Sequence, residues 1–369
     1  MRLSILIAFA AFTALFVTSP VAPIVAGRAG SPRDAGIITF LFSATTVITQ
    51  IFVPRLLALG LKTRFLAVAL VALGVPNLVF ILTPDVLSSL LVATAIRGVG
   101  FGVVSVMTSL IITRMAPDGQ LGRALGLYGA AVAISAMIFP PVGLFLASTV
   151  GFEWAFVVSL GSALVAAFAA MFLRTPPLDS PRNFSVISIL RRHDTSLPAA
   201  ISWINAFTYG GIISFVPLIL LGRGTASAAA YFLVFGVAQT VGRLLSGPYA
   251  EKTGARRSLL IGVIVTLFGT GGLAADLGTA ALLASGACFG IGSAMIRNAS
   301  YIAMLKSVTT SEYGAVSTLW NLSIDFGIGF GSLVLGVVVG NTGIPFMFWL
   351  LPIVTAFAIP LAFSVKKIY

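Results

Sequence analysis

Three charged side chains stand inside long apolar stretches of the sequence, and they are Arg97, Arg297 and Asp325. A charge within a lipid bilayer is costly, so residues of this kind usually serve protons, ions or substrates. At 1.5 Å per helical residue, Arg297 and Asp325 lie at similar depths, about 12 and 18 Å from the same membrane face. We predict that these two can pair, either as a static ion pair or as a proton site tuned by burial and by the arginine.

The same charges also suit a second chemistry. Two intramembrane arginines against one acid favour a substrate that carries a carboxylate or a phosphate, because a guanidinium binds such groups through two parallel hydrogen bonds. Proton coupling through Asp325 and direct anion binding by Arg97 and Arg297 are therefore both open interpretations.

Enzymatic chemistry finds no support in the sequence. The chain has one histidine, His193, and one cysteine, Cys288, and it lacks a Gly-x-Ser-x-Gly nucleophile motif. A lone cysteine cannot form a disulfide within the chain or a cysteine-rich metal site. We expect a protein that is not an enzyme and that has no cofactor and no metal site.

The elements that position the three charges are membrane-spanning helices. Of 369 residues, 58% are hydrophobic and 9% are charged, whereas soluble domains have about 25% charged residues. Apolar runs of about 20 residues, long enough to cross ~30 Å of hydrocarbon, recur along the whole chain. We predict twelve transmembrane helices, at roughly 3–26, 36–55, 64–83, 86–112, 123–149, 154–173, 197–221, 227–249, 257–275, 279–305, 313–340 and 344–365.

The net charge of +12 is a signal of membrane topology. With the N-terminus inside, most of the basic residues fall on the cytoplasmic side, and these are Arg2, Arg55, Lys62, Arg64, Arg114, Arg123, Arg174, Arg182, Arg191, Arg192, Arg243, Lys252, Arg256, Arg257, Lys306, Lys366 and Lys367. The positive-inside rule then places both termini in the cytoplasm. We predict a multi-pass protein of the cytoplasmic (inner) membrane that binds no nucleic acid.

An internal repeat divides the chain into two halves. Shifting the sequence against itself by 192 to 194 positions aligns turn and packing residues, among them Pro23 with Pro217, Gly60 with Gly254, Gly98 with Gly290, Gly100 with Gly292 and Gly151 with Gly343. We predict six-helix bundles at 1–175 and 197–369, joined by a cytoplasmic linker at 176–196. The middle of the linker suits a short amphipathic helix on the membrane surface, with a solvated linker as the alternative.

One loop of the second half resembles the gating-loop motif of the major facilitator superfamily. Its motif residues are Gly247, Glu251, Lys252, Gly254, Arg256 and Arg257. The glycines allow a tight turn, and the basic residues anchor it at the lipid headgroups. The equivalent loop of the first half keeps Gly60 and Lys62 but has Leu57 where the family has its acid, which implies a weaker latch there.

Three other segments resemble the same family. They are Arg97-Gly-Val-Gly100-Phe-Gly102 in the fourth helix, Phe139-Pro140-Pro141-Val-Gly143 in the fifth, and Asn321-Leu-Ser-Ile-Asp325-Phe-Gly327-Ile-Gly329 in the eleventh. The resemblance implies a role in proton coupling for Arg97. The fifth helix keeps only part of the glycine and proline pattern of the family's exporters.

The resemblance also implies that helices 1, 4, 7 and 10 line a substrate cavity. The polar and aromatic candidates on these helices are Thr18, Ser19, Ser105, Thr108, Trp203, Asn205, Tyr209, Asn298 and Tyr301. For each of them, hydrogen bonding or packing between helices is the alternative. A polar stripe on the second helix, Thr39, Ser43, Thr46 and Gln50, is expected to face the other half of the protein.

These observations predict an all-α membrane protein with the major facilitator fold, in which two six-helix bundles are related by a pseudo-two-fold axis along the membrane normal. The function that the resemblance implies is secondary active transport of a small molecule by rocker-switch alternating access, with proton coupling and with efflux favoured over import. The alternatives are an organic-anion exchanger or uniporter that uses Arg97 and Arg297, and a transport-inactive sensor or scaffold with the same fold. Its expected partners are the substrate, protons and the lipid bilayer, and we expect a monomer.

Overall fold

The structure is a computed structural model that describes residues 1–58, 64–115, 121–173, 186–221, 225–275, 277–309 and 312–365. Gly60, Lys62, the first part of the predicted linker and the Leu57 side chain lie outside this description. The helices within it are α1 (Arg2–Thr18), α2 (Val21–Ala29), α3 (Asp34–Ala58), α4 (Arg64–Gly74), α5 (Asn77–Leu82), α6 (Leu87–Met115), α7 (Leu121–Thr149), α8 (Phe152–Met171), α9 (Val186–Leu190), α10 (His193–Leu221), α11 (Thr225–Thr253), α12 (Ala255–Ala275), α13 (Thr279–Lys306), α14 (Tyr313–Thr342), α15 (Ile344–Ala356) and α16 (Ala358–Ser364).

The predicted all-helical membrane fold is confirmed. Within the described residues, twelve helical segments are long and apolar enough to cross a membrane, and they are Arg2–Ala29, Asp34–Val53, Arg64–Leu82, Leu87–Met115, Gly126–Thr149, Phe152–Met171, His193–Leu220, Ser227–Ala250, Ala255–Ala275, Thr279–Lys306, Tyr313–Thr342 and Ile344–Ser364. Helices are the natural solution for such a sequence, because a helix satisfies its own backbone hydrogen bonds where no water can do so.

Apolar side chains cover the outside of these helices as well as the inside. Leu6, Phe168 and Phe268 have 63%, 64% and 71% of their side-chain surface exposed, whereas a soluble monomer rarely exposes contiguous apolar surface. Hydrocarbon tails solvate such side chains at no cost, so this surface fits a bilayer.

The described chain forms two compact units. Unit 1 comprises Met1–Arg182 with Leu220–Ala229, and unit 2 comprises Asn183–Ile219 with Ala230–Tyr369. Each unit has an apolar core between its helices, including Leu70 and Met107 in unit 1 and Leu259 and Val263 in unit 2.

Corresponding glycines make corresponding helix contacts within each unit. A Cβ atom on Gly98 of α6 would stand 2.5 Å from the Phe42 carbonyl oxygen of α3, and one on Gly290 of α13 would stand 2.5 Å from the Phe235 carbonyl oxygen of α11. Gly100 approaches α4 and Gly292 approaches α12 in the same way. The repeat in the sequence is therefore a repeat of helix packing, in which small residues let backbones touch.

The described part of the linker docks on unit 2. Helix α9 has only five residues, and its Ile189 side chain is buried against Met304 and Val316, while Ile187 is exposed. Beyond α9, the Arg192 guanidinium donates to both carboxylate oxygens of Glu312, at 2.6 and 3.0 Å.

The carboxylate of Glu312 also accepts hydrogen bonds from the backbone N–H and the hydroxyl of Thr309, at 3.2 and 3.1 Å. The hydrogen bond from Arg192, helped by those from Thr309, lowers the pKa of Glu312 from 4.5 to about 2. This contact pins the end of the linker to the start of α14.

Candidate functional site

Arg97 lies deep inside unit 1 with a neutral hydrogen-bond partner. Its side chain on α6 is 3% exposed, and its guanidinium donates to the Thr18 hydroxyl at 2.5 Å. The guanidinium carbon is 5.3 Å from the centroid of the Phe80 ring, which stacks on Phe156. A ring face stabilises a cation by its quadrupole, so aromatic surface and a hydroxyl hold this charge.

A chain of hydrogen bonds continues from Arg97 across three further helices. The Thr18 hydroxyl donates to the Ala14 carbonyl oxygen, which also accepts from the Ser159 hydroxyl at 2.6 Å. Ser159 in turn accepts from the Asn77 side-chain amide at 3.1 Å. Two buried polar atoms of this network, Arg97 Nε and Asn77 Oδ1, have no hydrogen-bond partner within the described residues. The network links helices α6, α1, α8 and α5 and keeps spare hydrogen-bonding capacity.

A second cluster of charge lies within unit 2. The guanidinium carbon of Arg297 on α13 is 5.8 Å from the centroid of the Tyr209 ring, which stacks on Phe235 and Phe289. Asp325, near the middle of the 30-residue helix α14, lies within electrostatic range of Arg297. The structure therefore brings the predicted pair into one region.

Arg243 joins this cluster and was missed at the sequence level. It lies inside the spanning segment Ser227–Ala250, within electrostatic range of both Arg297 and Tyr209. At the sequence level Arg243 counts among the basic residues of the cytoplasmic side and not among the charges within spans, whereas α11 continues beyond it for a further ten residues, to Thr253. Its position within the predicted span 227–249 could have identified Arg243 as a fourth charge inside the membrane.

The predicted cavity residues of unit 1 make hydrogen bonds within and between their helices. Thr18 holds Arg97, as described above, while Ser19 donates to the Phe16 carbonyl oxygen of its own helix. Ser105 accepts a hydrogen bond from the Gln50 amide at 3.2 Å, and Thr108 donates to the Val104 carbonyl oxygen. Within the part of the chain that the structure describes, only Thr18 of these four residues has a hydrogen bond to a charged side chain.

The predicted cavity residues of unit 2 divide into aromatic and amide groups. Trp203 packs on Phe330 at 5.8 Å between ring centroids, and the Tyr301 ring lies 5.0 Å from that of Trp320.

Both amides bridge helices. Asn205 accepts from the Ser293 hydroxyl, and Asn298 donates to the Arg243 carbonyl oxygen and to the Ser246 hydroxyl. Asn298 thus fixes α13 to α11 beside the two arginines.

The polar stripe of the second span pairs inside its own unit. Thr46 donates to the Gly98 carbonyl oxygen and Gln50 donates to Ser105, both on α6. These two groups therefore have hydrogen-bond partners within unit 1, and the expectation that the stripe faces the other half stays a prediction. Helix α6 offers the nearest acceptors, because Gly98 and Gly102 let α3 approach it closely.

The predicted gating loop is a turn of one residue. Gly254 alone separates α11 from α12, and its φ of 85° is a conformation that side-chain-bearing residues avoid. Lys252 and Arg257 are exposed at this turn, and the Arg256 guanidinium lies 5.7 Å from the Phe363 ring centroid. Gly247 lies within α11, and the Glu251 side chain falls outside the described residues.

Among the described side chains, His, Cys, Asp and Glu form no group of three that could hold a metal ion. What the structure presents is a multi-pass helical membrane protein of two repeated units, each with an arginine held against aromatic rings inside its spans. That description defines the class of helical membrane transporters with a duplicated bundle.

Comparison with known proteins gives the family. The family model described as Major Facilitator Superfamily matches residues 4–274 and 198–367. The chain belongs to the Major Facilitator Superfamily, a family of transporters and not of enzymes.

Individual relatives are distant. An uncharacterized MFS-type transporter of Methanocaldococcus jannaschii is 22% identical over 355 residues, which cover 91% of both chains. The multidrug transporter protein MdtP of Bacillus subtilis is 23% identical over 126 residues, covering 34% of this chain and 23% of its own.

Solved structures share the fold at low identity. A bacterial homologue of the human lysosomal transporter Spinster, in its inward-facing unoccupied conformation, has a TM-score of 0.79 at 16% identity, covering 98% of this chain and 95% of its own. A D-xylose–proton symporter has a TM-score of 0.80 at 14% identity, covering 99% and 97%.

Proposed function

We propose that this protein is a proton-coupled secondary active transporter that exports a small molecule across the cytoplasmic membrane by alternating access. The observation that carries the proposal is the position of Asp325, an acid near the middle of a spanning helix and within electrostatic range of Arg297. A carboxyl group at such a depth can gain and lose a proton as its surroundings change between water and protein.

Arg97 supports the proposal from the other repeat. A buried guanidinium whose hydrogen bond goes to a neutral hydroxyl is held weakly enough to exchange partners when the helices around it move. Its unpartnered Nε leaves a donor ready for a new acceptor. In this mechanism Asp325 gains and loses a proton, and Arg97 exchanges its hydrogen-bond partner, during one transport cycle. The two halves rock around the substrate in that cycle.

Export is the proposed direction. The fifth predicted helix keeps part of the exporter pattern at Pro140, Pro141 and Gly143. One relative is named an efflux pump, from Gibberella moniliformis, and it is 26% identical over 38% of this chain and 26% of its own. The Bacillus subtilis relative is named a multidrug transporter.

The test is proton flux in proteoliposomes that contain the purified protein and an internal pH indicator. A panel of anionic, zwitterionic and cationic metabolites is added in turn under an imposed pH gradient. We expect at least one compound to move with protons in the wild type and to lose the coupled movement in Asp325→Asn. Asp85→Asn, which changes an exposed acid between spans, should retain it.

Two outcomes contradict the proposal. If Asp325→Asn still concentrates a compound under a pH gradient, Asp325 is not the coupling acid. If no compound of the panel moves under any gradient, the protein is a transport-inactive scaffold with a transporter fold.

A further inference from the structure

Among the described side chains, the charged cluster of unit 2 contains two arginines and one aspartate. Arg243 and Arg297 are close enough to repel each other, and the Asp325 carboxylate lies within electrostatic range of Arg297. Both arginines are intermediate in exposure as whole residues, neither fully buried nor fully exposed. A partly exposed cation inside a span requires water or an anion in front of it, because hydrocarbon cannot solvate it.

The repeat shows that this excess charge is a special feature of unit 2. A shift of 193 positions relates Arg243 to Gln50, and a shift of 192 relates Arg297 to Ser105. In unit 1 those two positions satisfy each other, since Gln50 donates to Ser105 at 3.2 Å. Unit 2 replaces a neutral hydrogen-bonded pair by two cations that cannot bond to each other, which leaves their donors for a third group.

Neighbouring contacts hold the two arginines in place. The Asn298 side chain donates at 2.9 Å to the Arg243 carbonyl oxygen and at 2.8 Å to Ser246, which ties the two helices together beside both charges. The Tyr209 ring supports the Arg297 guanidinium on one side, and its own position is set by the stacked rings of Phe235 and Phe289. The Nε atom of Arg297 is buried and has no hydrogen-bond partner within the described residues.

We propose that Arg243 and Arg297 together bind the oxyanion of the transported molecule, a carboxylate or a phosphate on a small organic compound. This inference rests on the transport function proposed above and names its substrate class. Guanidinium groups bind both oxyanions through paired hydrogen bonds, and a bound anion removes the repulsion between the two arginines. Asp325 remains the proton site beside the anion.

The experiment measures binding without any gradient, on purified full-length protein in detergent. Thermal unfolding is followed at constant ionic strength with increasing benzoate, phenyl phosphate, benzamide or benzylammonium, which share one phenyl group and differ in charge. We expect benzoate or phenyl phosphate to raise the midpoint temperature in a saturable way, since a ligand that binds only the folded state stabilises it. Benzamide and benzylammonium should not. The two anions distinguish a carboxylate substrate from a phosphate substrate.

Arginine variants locate the site. Arg243→Gln and Arg297→Gln should each weaken anion binding about tenfold or more, because each removes charged hydrogen bonds. Arg64→Gln, at an exposed arginine of unit 1, should bind as the wild type does. If a glutamine variant does not fold, Arg243→Lys or Arg297→Lys keeps the charge, and it should still weaken binding because an ammonium lacks the planar fork.

The outcomes separate this inference from the transport proposal. Asp325→Asn should bind the anion at least as tightly as the wild type while losing proton coupling. The inference is overturned if neither anion raises the midpoint above the benzamide value, or if the effect persists unchanged in both arginine variants.

Discussion

Helices α1 and α7 touch at a point where no side chain fits. A Cβ atom at Gly143 of α7 would stand 1.8 Å from the carbonyl oxygen of Val17 in α1 and 2.9 Å from its carbonyl carbon. Both contacts are with backbone, which cannot rotate away as a flexible side chain does. In Gly143→Ala the two helices must therefore separate by more than about 1 Å, in an interior that is otherwise close-packed.

The expected cost follows from that geometry. Forcing an extra methyl group into a packed interior costs about 1–3 kcal/mol, so Gly143→Ala should lower the free energy of unfolding by about this amount. Gly129→Ala on the same helix is the matched control, because a Cβ atom there meets nothing within 4 Å. The control should be unchanged or stabilised by up to ~1 kcal/mol, since alanine favours a helix over glycine.

Gly143→Ala should also disturb the hydrogen bond between Arg97 and Thr18. Val17 precedes Thr18, whose hydroxyl accepts the hydrogen bond from Arg97, so displacing α1 weakens that bond and should slow transport. The free energy of unfolding is measured by titration with a denaturing detergent in mixed micelles, and transport is measured in proteoliposomes. Equal stability of Gly143→Ala and Gly129→Ala would refute the reasoning.

Two further perturbations follow from single contacts. Thr18→Val should lower the free energy of unfolding by about 1–3 kcal/mol, because it leaves a buried guanidinium without its acceptor. Thr113→Val changes an exposed threonine bonded to its own helix and should not lower it. Similar losses of stability in both variants would contradict the role of Thr18 as the acceptor for Arg97. Docking of the linker should be pH-dependent, because the folded-state pKa of Glu312 is lowered to about 2 and its contact with Arg192 is thus complete above pH 4.5 and lost as the pH falls toward 2. Docking is measured by amide hydrogen exchange of residues 186–192, as protection relative to the intrinsic exchange rate at each pH. Glu312→Gln should show low protection at every pH. Protection in the wild type that does not change with pH would refute the prediction.

The helices and their repetition could be predicted because both depend on local properties of the chain. Runs of apolar residues set the spans, and a bilayer allows such runs only one regular structure. The aligned glycines Gly98 and Gly290 also carry information about packing, since a residue without a side chain marks a backbone contact. These signals lie in the sequence itself and need no knowledge of what a helix packs against.

The partners of the polar side chains could not be predicted, because they depend on the rotation of each helix about its axis. Arg97 meets Thr18 across 79 positions of sequence, and Asn298 meets the Arg243 carbonyl oxygen across 55. At the sequence level Arg243 likewise counts with the cytoplasmic basic residues, although it lies ten residues before the end of α11 and inside a membrane span. A sequence pattern shows which residue types are present, whereas their pairing is a property of the assembled bundle.

The turn at Gly254 has a mechanical consequence. Because a single residue joins α11 to α12, no slack exists between them to absorb a change in tilt. If Arg243 binds an anion as proposed above, a change in the tilt of α11 would reach α12 through this single residue. A substitution at Gly254 would strain this turn, because residues with a Cβ atom rarely adopt its φ of 85°.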